Sequence, residues 1–348
     1  MSVLTYRYRI KDATSSTHLT RLGWAVNTVW NFCNEVSLLA LRRDHRWLTA
    51  VDLINLTAGA STELGLHSDT ISEICREYVA KRKASHKRRL RWRSRKRSLG
   101  WIPFKTRFLK LGSDSITYLR RRYRFWASRP LAGTPKTGGF TQDARGRWYV
   151  NFQCEVEDCG VPLGDAEIGI DLGLRNQLWC SDMEEPYSRE NLTRKHETTL
   201  AAAQRAHKKR RVKAIHAKIA NCRKDWTHKT TTAIVKRATL IAVGDVSSTK
   251  LAKTHMAKSV YDAGWGQLRT CLEYKAKRLG VVYREVNEVY SSVTCSVCGA
   301  RTGPSGLSAL GVRVWCCSVC GSVHNRDHNA SRVILRLGRE ALLRNPPT

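Results

Sequence analysis

The 348 residues carry 61 Lys and Arg against 29 Asp and Glu, a formal net charge of +32 with an isoelectric point near 10.2. Such self-repulsion destabilises a compact chain unless a polyanion neutralises it, which argues against an enzyme of small metabolites and for a nucleic-acid partner. Membrane binding is not the reason for the charge, because no run of about eighteen apolar residues occurs.

In chain order, residues 3–10 alternate like a strand, so Met1–Arg7 reads as the start of a strand and not as a leader. Apolar residues at Leu19, Leu22, Val26, Val29, Cys33 and Val36 recur with helical spacing and predict a helix over about 16–43. Further helical patterns cover 49–65 and 68–90. The latter runs into Lys81–Arg97, where eleven of seventeen positions are Lys or Arg, with Trp92 interleaved. So many like charges without an acid repel one another unless they are paired, so this run predicts phosphate contacts rather than a merely solvated helix. From Trp101 to Glu157 the pattern changes to strands. The clearest is 147–157, with Trp148, Val150, Phe152, Cys154 and Val156 on one face. A linker at 160–164 leads into apolar runs 167–174, 239–246 and 279–286, separated by helical stretches near 193–236 and 257–279. That order is α/β, with a buried sheet. Residues 345–348 read as a frayed end.

Near the end stand Cys295-x-x-Cys298 and Cys317-x-x-Cys320, two knuckles about twenty residues apart. This is the spacing at which two tight turns offer four thiolates to one tetrahedral zinc. Cys316 competes with Cys317 for the third position. The C-x-x-C-Gly pattern shared with Cys295–Gly299 selects Cys317 and leaves Cys316 a bystander. The other cysteines are scattered singly, which fits a reducing cytoplasm rather than a disulfide framework. Three strand runs end in acids: Asp171, Asp245 and, just beyond the third, Glu288. Asp327 follows the second knuckle by seven residues. Convergent carboxylates at strand ends can hold two divalent cations for phosphodiester hydrolysis, although any one of them alone is as ordinary as a helix cap.

Ile168-Gly-Ile-Asp171-Leu-Gly173, His228 in its helix, Ser291-Ser-Val-Thr-Cys295-Ser-Val-Cys298-Gly, Trp315-Cys-Cys317-Ser-Val-Cys320-Gly and Asn325-Arg-Asp327-His-Asn329-Ala together resemble the TnpB family. These are RNA-guided nucleases encoded by insertion sequences, related to type V CRISPR effectors and to the Fanzor proteins. The resemblance runs along the whole chain but is specific only in the C-terminal half. It implies a multidomain α+β and α/β architecture. A wedge-type β-barrel, 1–12 and 99–160, would be interrupted by a helical recognition lobe, 13–98. A ribonuclease-H-like RuvC domain, 161–291 and 322–340, would hold an inserted four-Cys zinc ribbon, 292–321. It further implies structural Zn2+, catalytic Mg2+ (two ions), a guide RNA from the element's end, and double-stranded target DNA cut beside a short flanking motif.

One departure stands out. Where the family carries its middle catalytic Glu, in Val-Glu-Asp-Leu, this chain has Val243-Gly244-Asp245-Val246. Either the nuclease is inactive or the carboxylate arrives from elsewhere. Glu288 is taken as the replacement, as in a branch of the family and in the Fanzors, giving Asp171, Glu288 and Asp327 as the magnesium ligands. The nucleic-acid contacts expected are Lys81, Arg82, Lys83, Lys87, Arg88, Arg89, Arg91, Trp92 and Arg93, with Arg120, Arg121 and Arg122 as a second cluster; Lys208–Arg211 is more ambiguous. Two other classes stay open: a guided DNA-binding protein that does not cut, and an RNA-independent zinc-ribbon or transposase protein.

Overall fold

The computed structural model describes residues 1–174, 176–188, 191–246, 257–306 and 308–344. The expected frayed end at 345–348 lies outside them. The chain mixes helices and sheets and divides into two compact units, Val3–Val156 and Glu157–Thr348. No helix among the described residues is long and apolar enough to cross a membrane.

In the first unit, β1 (Ser2–Arg9), β7 (Trp148–Val156), β6 (Thr134–Gln142) and β2 (Trp101–Lys105) form a four-stranded sheet in that order. The short strands β3 (Lys110–Leu111), β4 (Ser115–Tyr118) and β5 (Arg121–Arg124) form a second, three-stranded sheet. The alternation read in 147–157 is real: Trp148, Val150, Phe152, Cys154 and Val156 are all buried. Phe152 joins Tyr8, Phe104, Phe125 and Phe140 in an aromatic cluster with ring centroids 5.1–6.2 Å apart, in the stacked, tilted and edge-on arrangements that aromatic quadrupoles favour.

Against this core lies α1 (Ala13–Asp44), capped by Asp12, whose carboxylate accepts the Ser15 N–H. It buries the stripe Leu19, Leu22, Val26, Val29 and Cys33. The single helix expected over 49–65 is two, α2 (Ala50–Leu56) and α3 (Ala60–Leu64), separated by a turn that ends on Gly59 at φ 83°. The helix expected over 68–90 is α4 (Ser68–Ser85), which stops there because His86 turns left-handed at φ 53°. Most of the basic run is therefore not helical.

In the second unit the strand order is β11 (Val282–Val286), β10 (Ala238–Gly244), β8 (Ala166–Asp171) and β9 (Trp179–Cys180). The first three are parallel and β9 is antiparallel. The three apolar runs are these parallel strands. The crossover from β8 to β10 contains α5 (Leu192–Lys195), α6 (Glu197–Arg205) and α7 (Lys209–Arg237), where one stretch near 193–236 was expected. The crossover to β11 contains α8 (Ala257–Ala263) and α9 (Trp265–Arg278), with Gly264 at φ 68° breaking the single helix expected over 257–279. Period two sorts the strands. Ile168, Ile170, Ile241 and Val243 pack into one core with Leu268 and Leu272 of α9, while Ala242 and Val286 pack with Ile334 of α10 (Arg326–Arg344) on the other face. A small hairpin, β12 (Val314–Cys316) and β13 (Val323–Asn325), runs directly into α10.

Candidate active site, cysteine knuckle and basic surface

Strand register decides which acids can meet. Gly169 pairs with Ala242 and Ile170 with Val243, so one step further Asp171 stands beside Gly244. Gly244 itself pairs with Val286 across β10 and β11. Glu288 lies two residues past Val286, and side chains two apart on extended chain share a face. Asp171, position 244 and Glu288 thus line up along the carboxyl ends of three parallel strands, on the face covered by α10. Asp245, one residue on from Gly244, belongs to the opposite face. Its carboxylate accepts the Glu288 backbone N–H at 3.2 Å and so buttresses the turn that carries Glu288.

Gly244 makes the arrangement possible. A Cβ there would overlap Glu288 Oε2 and lie 3.2 Å from both Glu288 Cβ and Ile334 Cδ1. The Glu288 side chain occupies the volume that a residue at 244 would need. Its Oε2 is buried and has no hydrogen-bond partner, an orphaned acceptor of the sort a cation satisfies. Burial first, then the Asp245 carboxylate, push the Glu288 carboxyl up to about 7. Asp171 goes further, to about 8, through burial and then the charges of Glu288 and Asp327, against the lowering effect of Arg326 and Arg313. Burial and the neighbouring acids together hold both carboxyls above their ordinary values in this strand-end site.

Asp327 arrives in the first turn of α10, where Asn325 Oδ1 accepts the N–H groups of Asp327 (3.1 Å) and His328 (3.2 Å). Arg313, at the start of the ribbon hairpin, donates from Nη1 to both Asp327 oxygens, at 3.0 and 3.2 Å. Arg313 was not among the residues singled out from sequence. It lies four positions before Cys317, and only the β12–β13 pairing carries it back to α10. Among the described residues, only the four cysteines bring three or more metal-ligating atoms within 4.8 Å of one another. The three carboxylates stand further apart than that. Ligands flanking a pair of ions about 4 Å apart need a wider span than ligands sharing one ion.

At the knuckles, Cys295, Cys298, Cys317 and Cys320 gather their sulfurs, with Sγ–Sγ distances of 3.6 Å for Cys295–Cys320 and for Cys298–Cys317. Four sulfurs about 2.3 Å from a tetrahedral ion stand roughly 3.8 Å apart, so the set fits zinc. Cys316 is outside the group, and its thiol turns to the Gly321 carbonyl at 3.3 Å. Asn329 of α10 fixes the knuckle to the helix: its Nδ2 donates to Thr294 O at 2.7 Å and its Oδ1 accepts the Ser296 N–H at 2.8 Å.

The basic run of the first unit is an irregular segment lashed to α1. Asn34 exchanges hydrogen bonds with the backbone of Leu90, Nδ2 to O at 2.9 Å and N–H to Oδ1 at 3.1 Å. Asn31 does the same with the backbone of Arg93 at 2.8 and 2.9 Å. A side-chain amide has the donor and acceptor of a peptide group, so each Asn pairs with the segment as a neighbouring strand would. The run separates into two kinds of residue. Arg82 is 5 % exposed, donates to Leu48 O at 3.0 Å and stacks on Trp47 at 4.4 Å. Arg93 donates to Asn27 Oδ1 at 2.8 Å and Leu99 O at 3.1 Å, beside Trp30 and Trp101. These two side chains are engaged within the first unit, unlike the exposed members of the run. Lys81, Lys83, Lys87, Arg88, Arg89, Arg91 and Trp92 face outward. In the second cluster Arg120 and Arg122 are exposed and Arg121 is half-buried.

The family matches fall almost entirely in the second unit. The family profile described as Probable transposase matches residues 151–255, and the one described as Cas12f1-like, TNB domain, matches 265–334. A candidate RNA-guided DNA endonuclease of Streptomyces pristinaespiralis is 34% identical over 230 residues, covering 62% of this chain and 56% of that protein. The candidate RNA-guided DNA endonuclease InsQ of Escherichia coli (strain K12) is 30% identical over 250 residues, covering 63% and 60%. A TnpB-like protein of Acanthamoeba polyphaga mimivirus is 23% identical over 240 residues, covering 61% and 45%. The chain therefore spans about half to three fifths of the length of these relatives. The two adjacent family matches and these relatives make the chain similar to transposon-associated TnpB-like proteins over these segments.

Proposed function

We propose that the protein is an RNA-guided, magnesium-dependent DNA endonuclease associated with a transposable element. The observation that carries this reading is the fit of the Glu288 carboxylate into the space left by Gly244, beside Asp171 and on the face that α10 brings to Asp327. A chain that had merely lost its middle carboxylate would have no reason to keep a second acid in that volume. Relatives whose names give RNA-guided DNA endonuclease activity support the same reading.

In this reading residues 1–12 and 99–160 form the wedge barrel, 13–98 the recognition lobe, 161–291 and 322–340 the RuvC-like nuclease domain, and 292–321 the zinc ribbon. Asp171, Glu288 and Asp327 would hold Mg2+, which when bound supplies an activated water and charge neutralisation at the scissile phosphate. The protein's own part is placement. Asp245 fixes the Glu288 turn, the Asn325 cap fixes Asp327, and β10, lying between the strands that carry Asp171 and Glu288, leaves at Gly244 the room into which the Glu288 side chain reaches. Arg313 neutralises Asp327 and lies where it can meet phosphate once that carboxylate is engaged elsewhere. The four cysteines would hold a structural zinc, with no position open for water. Guide RNA reads the target sequence by base pairing, while exposed Lys and Arg of the lobe hold the backbone.

The test is to purify the protein with its native transcript, sequence the bound RNA, and assay cutting of matched DNA with and without Mg2+. A bound RNA of defined length with magnesium-dependent, guide-directed cutting is expected. Guide-directed binding without cutting would make it a DNA-binding protein only. DNA binding in the absence of any RNA would reject guidance.

A further inference from the structure

His324 has no part in the reading above, yet it sits within the cysteine knuckle. Its Nε2 lies 3.0 Å from Cys295 Sγ, and both side chains are buried, His324 at 6 % exposure. The ring is fixed from the side by Trp315, with centroids 4.8 Å apart, because Trp315 and His324 are directly opposite in the β12–β13 hairpin.

Four thiolates around one divalent ion carry a net charge of −2, and such sites depend on hydrogen bonds to sulfur. Three of the sulfurs meet local donors. Cys298 has the Ala300 N–H. Cys317 has the Val319 and Cys320 N–H groups with the Thr302 hydroxyl at 3.2 Å. Cys320 has the Ser322 N–H. Cys295, the most buried of the four, has the His324 ring nitrogen within reach.

Resting on the reading of the knuckle as a zinc site, we propose that His324 donates an Nε2–H hydrogen bond to the Cys295 thiolate and thereby holds the metal in the ribbon. His324 is then a positioning residue and not a fifth ligand, since the four sulfurs already satisfy a tetrahedral ion. It stands three residues before Asp327 on the same short segment, so the bond also ties the entry to α10 to the knuckle.

Two substitutions separate donor from packing. His324→Phe keeps a ring against Trp315 and removes the donor. His324→Gln places an amide N–H near the Nε2 position and removes the ring. The full chain with its bound RNA is loaded with zinc, and metal content and the rate of zinc transfer to a colorimetric chelator are measured. Visible absorption of the cobalt-substituted protein is recorded in parallel. Wild type is expected to hold one zinc per chain. His324→Phe should hold it about 10–100-fold more weakly, the usual cost of losing a second-sphere partner. His324→Gln should recover to within a few-fold, and the cobalt spectrum should be that of four sulfurs in all three. Retention by His324→Phe equal to wild type would overturn the proposal in favour of simple ring packing. A wild-type cobalt spectrum of three sulfurs and one nitrogen would overturn it in favour of direct ligation. If the Phe chain fails to fold, His324→Gln decides alone, and metal loss from it 10-fold or more faster than wild type rejects the donor role. If wild type itself binds no zinc, it is the zinc reading that fails.

Discussion

Glu288 and Gly244 share one volume: the carboxylate of the first fills the space where the second would carry a side chain. The pairing is steric, and it makes position 244 as constrained as the acids themselves. Gly244→Ala is expected to displace the Glu288 carboxylate and slow cleavage by about 100-fold, the scale of a 1 Å misplacement of a reacting group. Glu288→Gln and Asp171→Ala should reduce cleavage to background with RNA binding intact. Asp245→Ala should give an intermediate loss, because it removes only the buttress under the Glu288 turn. Single-turnover cleavage rates check this order; full activity in Gly244→Ala would contradict it.

Stability should depend on pH in a direction set by the same acids. Asp171 and Glu288 have folded values of about 8 and 7, above the ordinary carboxyl value of about 4. The fold therefore favours their neutral forms. That contribution is complete below about pH 4 and is lost as the pH rises through 7 and 8. Without divalent ions the melting temperature should fall between about pH 4 and 8. Asp171→Asn should flatten the fall, and added Mg2+ should reverse it by favouring the ionised forms. A melting temperature that rises with pH equally in wild type and Asp171→Asn would count against the clustered carboxylates.

The basic run should behave as two classes. Arg88→Gln, Arg89→Gln and Arg91→Gln are expected to leave the melting temperature of the free protein unchanged. Each should reduce the salt slope of RNA binding by about one unit, for all guide sequences alike. Arg93→Gln and Arg82→Gln should instead destabilise the first unit by about 2 kcal/mol, the scale of a charged hydrogen bond lost inside a fold. Salt titrations beside thermal melts distinguish the classes, and equal behaviour of all five would dissolve the distinction.

The knuckle gives a sharper contrast between neighbours. Cys317→Ser should lower zinc content and stability severely, since structural zinc contributes folding free energy, while Cys316→Ser should be mild. Zinc stoichiometry and melting of both variants settle it; equal damage would mean that Cys316 is a ligand.

Period and spacing made much of this visible in advance. The strand over 147–157, the three parallel strands and the four-cysteine group follow from local patterns that a single segment contains. The end of α4 does not. Residues 86–90 keep good helix formers, but Asn34, more than fifty residues upstream, captures the Leu90 backbone and the chain leaves the helix at His86. For the same reason Arg82 and Arg88 look equivalent in the sequence, although one lies beneath Trp47 and the other lies in solvent. Glu288 stood out in the sequence only as one acid among several near strand ends, and its choice as the replacement took a family resemblance, because its place beside Asp171 depends on β10–β11 register. Arg313 and His324 escaped notice because a hairpin, and not linear spacing, sets their neighbours.

The acids of the candidate site come from the end of the first parallel strand, from the turn after the last one, and from the helix that closes the sheet. No contiguous fragment short of α10 holds all three. A chain released early by the ribosome, or clipped in a crossover, would keep the first unit and lack at least one of the three acids of the candidate site.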